Sequence, residues 1–125
     1  MIIGIGVDIV EIGRLRQTLE RQADRFLKRV FTTAEQEYCR AHRDPIPHFA
    51  ARFAAKEATF KALGTGWAKG VSWLDVEVHR CAGDAPTLTL HGHAEEHGLK
   101  LGLRKTHLSL SHSDQAAIAV VVLEN

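Results

Sequence analysis

The opening run "IIGIGVDIV" constrains this chain most. Ile3, Ile5, Val7 and Ile9 occupy its odd positions and Gly4, Gly6 and Asp8 its even ones, the period of two that marks a β-strand. Such a strand offers one bulky apolar face and one face cleared of side chains up to a single carboxylate. The glycines leave room beside Asp8, at the strand's end, for a hard cation carrying phosphates. Asp8, three residues before Glu11, equally suits an N-cap on a following helix. The residues alone leave both readings open. Ile9 replaces the third glycine of a dinucleotide fingerprint and no Gly-Lys-Ser/Thr follows, which argues against a Rossmann domain and a P-loop.

"IGRLRQTLERQADRFLKRV" predicts an amphipathic helix with Ile12, Leu15, Leu19, Ala23, Phe26 and Val30 on one face and Arg14, Arg21, Arg25 and Lys28 nearly opposite. Thr32 and Glu35 form a capping box that opens a helix over 33–42. "AHRDPIP" reads as a loop. A third helix runs over 48–63 to Gly64, with a phenylalanine stripe (Phe49, Phe53, Phe60) beside a face of Ala50, Ala54, Glu57, Ala58 and Lys61. Beyond Gly70 the pattern turns to strands at "VSWLDVEVHR", "PTLTLH", "THLSLSH" and "AAIAVVVL", with a helix near 92–101 between them. The expected architecture is α+β, one domain over 1–125 with a small, mainly antiparallel sheet.

At 125 residues, with 45% hydrophobic and 25% charged residues, the chain suits a soluble globular domain with its own core. No run approaches the roughly 20 apolar residues of a membrane span. The opening run lacks a basic leader and contains Asp8, so a cytoplasmic protein is expected rather than an exported one. Cys39 and Cys81 read as free, packed thiols.

Several side chains carry both a plain and a chemical reading. Glu57 and Lys61, four residues apart, match an ordinary surface pair. Lys56 falls within the phenylalanine stripe, where it must snorkel out or find an anion, and snorkelling is the simpler expectation. His112 at a strand end reads as a surface histidine, and Ser111, His112 and Asp114 do not make a hydrolase triad by proximity. His91, His93 and His97 lack a convincing set of further ligands for zinc. The basic face of the first helix suits an acidic partner; without aromatics to stack bases, an acidic protein is favoured over nucleic acid.

Four stretches in order, "GIGVDIVEIGRL", "RVFTTAEQEYC", "RFAAKEATFKALGTG" and "LSLSHSDQAAIAVVV", together resemble the bacterial holo-acyl-carrier-protein synthases, the short type of 4'-phosphopantetheinyl transferase. The resemblance covers nearly the whole chain. It implies an enzyme that moves the 4'-phosphopantetheine arm of coenzyme A onto a serine of apo acyl carrier protein and releases adenosine 3',5'-bisphosphate. By the same resemblance Asp8 and Glu57 match the carboxylates that hold magnesium, and Lys61 matches the lysine near the coenzyme phosphates. Glu57, directly or through a metal-bound water, is a candidate base. Arg52, Gly64, Pro86, His112 and Ser113 match positions lining the coenzyme site, some supplied by a neighbouring subunit of a homotrimer. Arg14 matches the carrier-docking position, and Arg21 and Arg25 extend its face. Val10 stands where the larger, two-lobed transferases carry a second acidic residue, which fits the short type. A non-catalytic module binding an acidic protein through the Arg14 helix, or a nucleotide hydrolase on the same carboxylates, are the competing expectations.

Overall fold

The computed structural model describes residues 1–66, 70–81 and 83–125. Strand β1 (Ile2–Glu11) is followed by α1 (Ile12–Val30), α2 (Thr33–Arg40) and α3 (Ile46–Leu63). Then come β2 (Val76–His79), β3 (Thr87–Leu90), α4 (Gly92–Lys100), β4 (Lys105–His112) and β5 (Ala116–Glu124). Among the described residues all the pairings are antiparallel, as expected for this α+β chain. The strands divide between two sheets, one of order β1-β5-β4 and a hairpin-like pair β2-β3.

The glycine face of β1 does not stay open. A Cβ on Gly4 would lie 2.1 Å from the Ala62 carbonyl oxygen, and one on Gly6 would lie 1.8 Å from that of Ala58. The space cleared by the glycines is filled by the backbone of α3, which corrects the expectation of room for a phosphate-bearing cation there. Ala117 and Ala119 on the neighbouring β5 keep the same face shallow and are fully buried. Ile5, Val7 and Ile9 accordingly point away from α3, and they are 62%, 51% and 65% exposed.

Helix α1 covers the predicted span but not as one continuous helix. Gln22 (φ −151°, ψ 46°) breaks it, so the apolar phase resets and Leu27 is buried while Ala23 and Phe26 are only half-buried. The capping box at Thr32 is present: the Glu35 N–H donates to Thr32 Oγ1 at 3.1 Å, and the Thr32 N–H to Glu35 Oε1 at 2.8 Å. Helix α3 begins inside the expected loop, with Pro47 in its first turn, where its missing N–H costs no helical bond. It ends at Gly64, whose φ of 74° is the left-handed cap glycine favours.

The stretch from Val71 to Arg80 is not one strand. Trp73–Asp75 form a 3₁₀ turn, closed by the Asp75 N–H on Ser72 O at 3.0 Å and the Ser72 N–H on Asp75 Oδ2 at 3.2 Å. Ser-Trp-Leu-Asp is itself a capping box, and its local bonds outcompete the ladder until Val76.

Candidate active site

Packing α3 against the glycine face aligns Asp8 on β1 with the exposed end of the helix. Lys61 Nζ donates to Asp8 Oδ1 at 2.8 Å and to the Val7 carbonyl at 3.1 Å. Asp8 is therefore the partner of Lys61, and Lys61 does not pair with Glu57 as an isolated helical i,i+4 couple. Nor does Asp8 cap α1. Strand β1 runs on to Glu11, which is the N-cap and makes no side-chain cap bond. The hydrogen bond from Lys61 to Asp8, with the charges of Asp8 and Glu57 behind it, holds the ammonium pKa above the ordinary lysine value despite slight desolvation.

Asp8 and Glu57 line one open cleft of about 450 Å³ with Glu11, Arg14, Phe26 and Phe53. Burial first, and then the charge of Asp8, push the Glu57 pKa up, while Lys61 pulls it back in part. Two carboxylates that repel one another at the rim of a cleft fit a dication. Among the described residues no group of three or more His, Cys, Asp or Glu could hold a metal. Magnesium needs no such group, since it binds through one or two carboxylates and completes its shell with substrate phosphates and water.

A second cluster forms at the other end of α3. Arg52 is 2% exposed, with its guanidinium 4.1 Å from the Tyr38 ring centroid and Nη1 donating to His48 O at 3.3 Å. Its Nε and Nη2 are buried without a partner among the described residues. Unmatched donors on a buried cation are costly, and an anionic acceptor would relieve them. His48 stacks on His42 at 3.6 Å between ring centroids and meets His112 edge-on at 5.9 Å. Desolvation, with His42, Arg52, His112 and Arg80 around it, presses the His48 pKa down to about 4. No sequence signal points to Tyr38, His42 and His48 as a cluster, because they come from two segments, around the end of α2 and at the start of α3, that meet only in the fold.

The other expected residues divide. Gly64 caps α3 near Lys61, and His112 closes β4, exposed as predicted. The Ser113 hydroxyl accepts the Gln115 and Ala116 N–H groups at 3.2 and 3.3 Å, so within the chain it serves the β4–β5 turn. Pro86 precedes β3, in the separate two-stranded sheet. Arg21 and Arg25 are exposed, but the Gln22 kink lies between them. His91, His93 and His97 bond separately to Glu77, Glu96 and Leu63 O, which removes zinc from consideration as one site for the three. Lys56 does not snorkel: it is buried on Glu35. Cys39 is buried, and desolvation raises its thiol pKa to about 12, whereas Cys81 is exposed rather than packed.

A model of the 4'-phosphopantetheinyl transferase superfamily matches residues 4–121, and the chain belongs to that family. Within it, the chain is 50% identical over 125 residues to a holo-[acyl-carrier-protein] synthase of Koribacter versatilis, covering all of both chains. The crystal structure of the holo-[acyl-carrier-protein] synthase of Neisseria meningitidis matches with a TM-score of 0.90 at 31% identity over the full length of both chains. The Helicobacter pylori enzyme, solved in complex with coenzyme A, matches with a TM-score of 0.84 at 35% identity, over 96% of this chain and 99% of that one.

Proposed function

We propose that this protein transfers the 4'-phosphopantetheine arm of coenzyme A to a serine of apo acyl carrier protein, as a holo-[acyl-carrier-protein] synthase. The observation that carries this reading is the meeting of Asp8, Glu57 and Lys61 at the edge of a cleft also lined by Arg14. The serine oxygen attacks the β-phosphorus, the bond from that phosphorus to the bridging oxygen breaks, and adenosine 3',5'-bisphosphate leaves with the electron pair. Glu57, directly or through a metal-bound water, accepts the serine proton. Lys61 places a positive charge beside the pyrophosphate. Asp8 and Glu57 would hold magnesium, which would neutralise part of the phosphate charge.

In our reading Arg52, whose buried Nε and Nη2 lack a partner among the described residues, meets the coenzyme's anionic end, and His112, which touches His48, completes that site with Gly64, Pro86 and Ser113. Arg14, with Arg21 and Arg25, meets the acidic surface of the carrier protein. The exposed face of Ile5, Val7, Ile9, Ile118 and Val120 is the contact between copies in a homotrimer, with active sites between subunits. The enzyme works in the cytoplasm; among the described residues no helix is long and apolar enough to cross a membrane.

Site variants test the assignment. Asp8→Ala and Glu57→Ala are expected to lower bisphosphate release by at least about 100-fold while circular dichroism stays unchanged. Arg14→Glu instead raises the carrier-protein KM by about tenfold and makes it less sensitive to salt. A folded Asp8→Ala enzyme with normal turnover would refute the mechanism.

A further inference from the structure

Lys56 immediately precedes Glu57, is fully buried and is not part of the proposed reaction. Its ammonium donates to Glu35 Oε1 at 2.8 Å, to Trp73 O at 3.1 Å and to Val76 O, so each of its three hydrogens has an acceptor. Glu35 is equally committed: Oε1 also takes the Thr32 N–H at 2.8 Å, and Oε2 takes the Val78 N–H at 2.9 Å. One ion pair thus ties α3 to α2, to the 3₁₀ turn and to β2.

Stability is a poor reason for such a pair, because well-packed apolar residues often do as well in its place. Orientation is a better one. Ala50, Ala51, Ala54, Ala55, Ala58 and Ala62 are six of the twelve buried residues of α3. Methyl groups set how closely a helix approaches but interlock little, and against β1 the contact is nearly backbone to backbone. On the other side of α3 Phe49 packs on Phe31, and Phe53 and Phe60 on Trp73; the three directional bonds of Lys56 add to that packing the rotational restraint that the alanine faces lack. Glu57, the next residue, inherits it. A carboxylate about 6 Å from the helix axis moves about 2 Å for a 20° rotation, and a misplacement of about 1 Å can cost roughly 100-fold in rate.

We propose that the Lys56–Glu35 pair is a positioning lock that fixes the rotation of α3 and so holds Glu57 beside Asp8. Its kinetic consequence rests on the transferase reading, while its structural consequence does not. The test compares crystal structures of the wild-type protein and a Lys56→Met/Glu35→Gln double variant, which removes both charges together. Glu57 is expected to shift by more than about 1 Å relative to Asp8; an unmoved Glu57 overturns the lock. If the double variant does not fold, Glu35→Gln alone decides the question. It keeps an acceptor for Thr32 and both carbonyls for Lys56, and is expected to give a smaller shift, with no shift again overturning the lock. In the folded variant kcat should fall by about 30- to 100-fold with both KM values within about twofold, and a loss confined to KM contradicts the proposal. A shifted Glu57 in a protein whose wild type transfers nothing would sink the transferase reading alone. An unmoved Glu57 in a variant of an active enzyme would sink the lock alone.

Discussion

A methyl group on Gly6 would meet a carbonyl oxygen of α3, and backbone cannot step aside as a flexible side chain can. Gly6→Ala should therefore cost about 3 kcal/mol or more, the upper end of overpacking, and should disturb the site by pushing α3 off the sheet. Gly13→Ala is the control. Nothing lies within 4 Å of its Cβ, and a helical alanine should add about 0.5 kcal/mol. Urea midpoints of the two variants would test both statements. The alternation in "IIGIGVDIV" was legible in the sequence, but its inner face was not. A period of two does not say which face is buried, and here the small face turns inward because the partner helix is rich in alanine. The site of Lys56 is illegible for a different reason: in the sequence Glu35 serves only the Thr32 capping box, and the fold alone shows that it also holds Lys56 and the Val78 N–H.

Helix α3 carries Arg52, Lys56, Glu57 and Lys61, so the acid–base behaviour of the site is largely a property of one element. Glu57 holds its proton more tightly folded than unfolded. Ionising it therefore costs stability as pH rises from the ordinary carboxylate range through its raised value. Glu57→Gln, which cannot ionise, should match the wild type below that window and exceed it above. His48 behaves in the opposite sense. Its pKa falls from 6.5 to about 4 on folding, so its share of stability is complete above 6.5 and is lost as pH drops towards 4. Denaturation curves between these limits should be flatter for His48→Gln, and unchanged curves would contradict the burial argument. At this scale the sequence was most legible where a local signal ends an element, as at the Thr32 box and Gly64. It was least legible at the Gln22 kink, because apolar spacing alone does not reveal a phase reset.

On the whole molecule, β1 and β5 present Ile5, Val7, Ile9, Ile118 and Val120 on one exposed face, with His107, Ser109 and Ser111 of β4 beside them. If copies of the chain cover this face, Val7→Asp should yield monomers in sedimentation and lose transfer while remaining folded. A fully assembled Val7→Asp protein would exclude this face as the contact. Metal-dependent transfer is tested by the intact mass of apo acyl carrier protein after incubation with this protein, coenzyme A and magnesium, with a chelator in a parallel reaction. The expected result is a gain of one phosphopantetheine arm that chelation abolishes and Asp8→Ala does not produce. An unmodified carrier protein, or a gain that survives both chelation and Asp8→Ala, would contradict it.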